Sequence, residues 1–183
     1  MRYIIGFFVA IGLIIVLIML LFGGGSSKTP KTTKSLSSYA NSDAVVRLTI
    51  DGPIVAPQNH HQLQITIGRD DVTIDKIQGY DNGVIDTHTY NNTLNSYDVF
   101  LHALGHAGFT KGIIDPTLAD ERGYCPLGDR YIFELSQDGK DVERYWATNC
   151  GNPKTYNGAL TLTLSLFESQ VPDYNALISD FSL

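Results

Sequence analysis

RYIFELSQDGKDVERYWAT, Arg130 to Thr148, is the stretch whose reading decides the fold. Arg130 to Ser136 and Val142 to Thr148 alternate apolar and polar residues at the period of half-buried strands. Between them, Asp138-Gly139 offers the positive φ that a tight turn needs, so the two runs are expected to pair as an antiparallel hairpin.

Outward from this hairpin the same pattern recurs. Upstream, VVRLTI (Val45 to Ile50) and LQITI (Leu63 to Ile67) read as strands separated by DGPIVAPQNHH. A third strand is expected from Val72 to Tyr80, and the turn signal at Asp81, Asn82 and Gly83 leads into a fourth over Val84 to Tyr90. The period then changes. In LNSYDVFLHALGHAGF, Phe100, Ala103, Leu104 and Ala107 share one helical face, with Asn95 as the expected N-cap and Gly108 as the stop. Downstream, ALTLTLSLF has both a strand period and a helical one; the length of Gly158 to Gln170 favours a helix. Pro172 should open a second, shorter helix reaching Phe181.

The N-terminus is a different material. Tyr3 to Phe22 is twenty residues without a charge, apolar all round, and spans roughly 30 Å as a helix. The expectation is a single-pass membrane anchor over residues 1–22. The rival is a cleaved signal peptide, since Gly23 to Gly25 lie near a possible cut, but secretory apolar cores are shorter. Residues 23–42 are Gly, Ser, Thr and Lys-rich and are expected to be a flexible tether, with the folded domain at 43–183. All 19 acidic residues lie at Asp43 or later, whereas Arg2, Lys28, Lys31 and Lys34 precede it. The head carries nine basic against 19 acidic residues, a net of about −10 that repels phosphate backbones. Nucleic acid is therefore not an expected partner. Flanking charge leaves the orientation near a tie, and a translocated C-terminal domain is expected because large domains cross largely regardless of charge.

Cys125 and Cys150 are the only cysteines. With Gln137 opposite Lys140, Cys125 falls two residues from the position facing Cys150, an offset that Pro126 and Gly128 can absorb. A disulfide at the open end of the hairpin is expected, the alternative being two free core thiols in a cytosolic domain. The bridge would accord with an extracytoplasmic domain.

The pieces RGYCPLGDRYIFEL, RYWATNCG, TYNG and LFESQVPDY, within Arg122 to Tyr174, keep an order that resembles single-span surface proteins of unknown function from Saccharibacteria and related ultrasmall Patescibacteria. The resemblance covers about 50 of the 183 residues, in the C-terminal half. It implies a membrane-tethered surface domain with a Cys125–Cys150 bridge, and it implies no activity.

Candidate sites are few. Asp98, His102 and His106 recur at i, i+4, i+8, and two histidines one turn apart can chelate Zn or Cu, although the Glu of an HExxH motif is missing. His60 and His61 sit in a polar loop. Asp115, Asp120, Glu121 and Asp129 lie in one loop without the order of a calcium-binding motif. No GxSxG or SxxK occurs, and Gly79 and Gly83 lack phosphate-loop spacing. Tyr124, Tyr145, Trp146 and Tyr156 gather near the hairpin as a candidate binding face.

The sequence thus predicts an α+β protein: an N-terminal transmembrane helix, then one domain with a mostly antiparallel sheet of about six strands and two or three helices packed on it. The expected role is a membrane-tethered extracytoplasmic interaction module, not an enzyme, with no cofactor. Its expected partners are the membrane through Tyr3 to Phe22 and an envelope protein or other envelope component. A metal-binding surface protein using His102 and His106 is the alternative.

Overall fold

Among the described residues six strands form one antiparallel sheet in the order β4-β3-β2-β1-β5-β6, where β1 is Val45–Asp51, β2 His61–Ile67, β3 Asp71–Gln78, β4 Gly83–Asn91, β5 Arg130–Gln137 and β6 Lys140–Thr148. This is a computed structural model, and it describes residues 34–183. The expected anchor at Tyr3 to Phe22 and most of the expected tether lie outside the described residues. Among the described residues no helix is long and apolar enough to cross a membrane.

Among the described residues three α-helices complete the α+β architecture: α1, Leu94–Ala107; α2, Leu160–Glu168; and α3, Tyr174–Ile178. α1 starts one residue before the expected cap, because Thr93 rather than Asn95 accepts the Ser96 N–H at 3.2 Å. It stops at Gly108, whose φ of 80° only glycine adopts cheaply. The ambiguous ALTLTLSLF run is helical, as its length suggested. α3 begins two residues after Pro172.

Strand alternation sends one set of side chains to the helices. Val46, Leu48 and Ile50 of β1, Leu63, Ile65 and Ile67 of β2, and Phe133 and Leu135 of β5 are buried beneath Tyr97, Phe100, Leu101 and Leu104 of α1 and Phe167 of α2. Phe100 and Phe167 meet edge-to-face at 5.4 Å, which locks the two helices together over the sheet. Burying a side chain such as Phe167 contributes about 1.5–3 kcal/mol.

The tether expected through Ser42 is shorter at its C-terminal end. Leu36–Tyr39 form a helical turn, and Leu36 and Ala40 are buried in the core. Two apolar side chains in a polar stretch suffice, because the β1 entrance already offers a pocket: the Tyr97 hydroxyl donates to the Ala44 carbonyl at 2.7 Å and holds the segment against α1.

The hairpin keeps the expected Gln137–Lys140 closure, but its register shifts between Leu135 and Ser136, so Arg130 lies opposite Thr148. Cys125 and Cys150 are bonded, with Cα atoms 5.8 Å apart. Gly128 makes this corner possible, since a Cβ there would lie 2.2 Å from Asn149 Oδ1 and 2.7 Å from Cys125 Sγ.

Candidate functional site

The same alternation that fills the core leaves the opposite sheet face polar. Arg47, Thr49 and Asp51 of β1, Gln62 and Gln64 of β2, Arg130, Ile132 and Glu134 of β5, and Arg144 of β6 occupy the other parity. Register sets them in rows: Thr49 lies between Gln64 and Ile132, and Asp51 between Gln62 and Arg130. Among the described residues no α-helix covers this face. Ile54 in the loop after β1 and Tyr80 in the β3–β4 turn rise on one side, and Glu121 with Arg122 on the other, to enclose a groove of about 410 Å³. That volume lies within the ~300–1,000 Å³ range of small-ligand sites.

The groove floor ends in a buried triad of Arg130, Asp51 and His60. Arg130, 1% exposed, donates to Asp51 Oδ2 from Nε at 2.9 Å and approaches it with a terminal nitrogen at 2.8 Å; it also donates to the carbonyls of Cys125 and Gly52. His60 is fully buried. Its Nδ1 lies 3.0 Å from the Pro53 carbonyl, which only accepts, so Nδ1 carries a proton. Its Nε2 lies 2.9 Å from Asp51 Oδ1, an oxygen with no other partner among the described residues. Asp51 therefore ties the β1 end to both β5 and the groove wall. Above His60, Tyr80 stacks on the imidazole with ring centres 4.0 Å apart.

On the far wall Arg144 donates to Glu121 Oε2 at 2.8 Å and to Glu134 Oε1 at 3.3 Å. Burial pulls the Arg144 pKa down, but the hydrogen bond and charge of Glu121, with Glu134 behind it, outweigh burial and hold it above the ordinary value. Exposed Arg122 binds Asp120 at 2.8 and 2.9 Å, and its hydrogen bonds lower the Asp120 pKa to about 2.

The residues singled out from the sequence lie elsewhere or do other work. Tyr145, Trp146 and Tyr156 do not form a binding face; they are 5%, 1% and 1% exposed. Tyr145 packs on Gly112, where a Cβ would lie 2.1 Å from its ring. The Trp146 indole donates to the Leu118 carbonyl at 2.7 Å, with half-buried Tyr124 stacked over it at 5.2 Å. The Tyr156 hydroxyl shares a 2.6 Å hydrogen bond with Thr163. The aromatics cluster because they pin the loops that close around the hairpin.

Asp98, His102 and His106 do follow one exposed stripe of α1, on the side away from the sheet. His102 Nδ1 is turned back to the Asp98 carbonyl at 2.9 Å. Among the described residues no three His, Cys, Asp or Glu side chains converge as a metal site. The acidic loop is likewise dispersed: Asp115 caps Thr117, Asp120 holds Arg122, Glu121 pairs with Arg144, and Asp129 accepts from Asn149.

Sequence reasoning passed over the groove. Its signal lies in the polar positions of VVRLTI and LQITI and of the flanking Asp51 and Gln62, an alternation that specifies strands without saying what their polar face lines. No family model matches the chain, and no curated protein matches it.

Proposed function

We propose that this protein is a membrane-tethered, extracytoplasmic binding module that captures its ligand on the open face of the sheet. The observation that carries the reading is the asymmetry of that sheet, helix-packed on one side and left on the other as a walled polar groove. Its role is binding, not catalysis. The apolar run Tyr3 to Phe22 supports a single-pass anchor, and the Cys125–Cys150 bridge supports an oxidising compartment outside the cytoplasm. The sequence resemblance to Patescibacterial surface proteins agrees with the same placement.

Photocrosslinking in whole cells tests it. A photoreactive residue at Gln64 or Asn82 should capture envelope material, and one at His102 on the opposite side should not; capture only from His102 would refute the groove. An alkaline phosphatase fused after Leu183 should be active, and an inactive fusion would overturn the orientation.

A further inference from the structure

We infer that the groove is a saccharide site, taking a neutral, hydroxyl-rich oligosaccharide with one sugar ring seated on Tyr80. The inference rests on the reading of the open face as the binding surface and goes on to name what it binds.

Tyr80 is the first reason. It is 45% exposed and lines the groove, yet it is clamped: its hydroxyl donates to the Val55 carbonyl at 2.8 Å and accepts the Val55 N–H at 3.1 Å. One ring face rests on His60 at an interplanar angle of 15°. His60 is itself immobilised between Pro53 and Asp51. An exposed aromatic held this way has already lost the freedom that binding would remove, so it is a preorganised platform. The apolar C–H face of a pyranose fits such a platform, as Ile54 beside it does not exclude.

Charge is the second. The lining contains Asp51, Glu121 and Glu134 against Arg122, Arg130 and Arg144, and these groups are engaged in ion pairs with one another or with Asp120. A lining balanced in this way favours neither an anion nor a cation. What remains to be used is neutral hydrogen-bonding capacity. Gln62 and Gln64 direct amide nitrogens to His60 and Thr49, leaving their amide oxygens without a partner among the described residues. The Asn82 side chain makes no hydrogen bond to the described residues. A hydroxyl both donates and accepts, so a ligand carrying several matches this mixed set of amides, carboxylates and guanidinium groups.

Backbone geometry separates a saccharide from an extended peptide. Peptides add to sheets along an edge, where free N–H and C=O groups wait. The floor here is β1, β2 and β5, each already paired on both sides, so it presents side chains alone.

The test uses the full chain in nanodiscs, screened against an array of neutral and anionic glycans, with a neutral Gly/Ala/Ser hexapeptide as the comparison ligand. Neutral glycans should bind, shown by saturation transfer to ring C–H protons and by calorimetry. Tyr80→Ala should weaken binding by roughly tenfold, Tyr80→Phe by less, and His102→Ala not at all. If Tyr80→Ala fails to fold, Gln64→Ala and Asn82→Gly, the glycine keeping the positive φ of 55° at that turn, should each lower affinity. No neutral glycan bound, or binding indifferent to all these groove variants, overturns the saccharide. Peptide binding that Gln64→Ala abolishes would overturn the ligand class while leaving the groove as the binding surface.

Discussion

The two faces of the sheet are made from the same strands and obey opposite rules. On the helix-covered face, aliphatic and aromatic side chains interlock and their surroundings exclude water. On the open face, charged and amide side chains meet in rows and form a groove closed by loops at both sides. The covered face derives its stability from burial, which is non-directional and tolerant of similar shapes. The open face derives its shape from hydrogen bonds, which are directional and costly when half made. Only the second kind of surface has chemistry left to offer a ligand.

The comparison would break if the open face contributed nothing to folding, and Arg130 is the sharpest probe. Arg130→Met leaves Asp51 buried and uncompensated, and it should cost about 3–5 kcal/mol in urea unfolding. Pairing it with Asp51→Leu should recover much of that loss, because the stranded charge goes too. A melt of Arg130→Met like that of the wild type would show the triad to be structurally idle.

The disulfide comes next, because it ties the hairpin end to the loop leading from the Glu121–Arg122 wall. Cys125→Ser with Cys150→Ser should lower stability by roughly 3 kcal/mol in the chain-entropy model. Alkylation under denaturing conditions, followed by intact mass, should show no modified cysteine until reduction. Two modified cysteines beforehand would remove the bridge.

The smallest effect concerns the covered face in alkali. Burial raises the phenol pKa of Tyr97, Tyr145 and Tyr156, with the Glu143 carboxylate adding to it at Tyr145, and pushes Tyr174 up to about 12. Below pH ~10 these phenols are neutral whether the chain is folded or not, so their contribution is fully present. Above pH ~10 the unfolded phenols ionise and the folded ones do not, so stability falls as pH climbs toward 12. The urea midpoint should decline over that window and the phenolate absorbance should lag until unfolding. Free phenolates in the folded protein at pH ~10.5 would contradict the packing.

Much of the covered face was legible beforehand. Alternation in VVRLTI, LQITI and RYIFELS and the Asp-Gly turn specify strands locally, and the 3.6-residue period of Phe100, Leu104 and Ala107 specifies α1. The cysteine pairing was readable for the same reason, since a hairpin's closure sets what lies opposite what. The aromatic cluster misled because composition does not report burial. Tyr145 and Trp146 are neighbours in the chain, so a strand sends them to opposite faces; Gly112 covers one and Tyr124 the other.

What the sequence determined by itself is therefore what depends on neighbours along the chain: periodicity, turns, the glycine that stops α1 and the hairpin's own disulfide. Tertiary structure decided the rest. Asp51, His60 and Arg130 are as many as 79 residues apart and become one triad only when β1 pairs with β5. Tyr80 becomes a clamped platform only when Val55 and His60 fold beneath it. The groove belongs to the order of the strands, and strand order is set by long-range register, which no local pattern encodes.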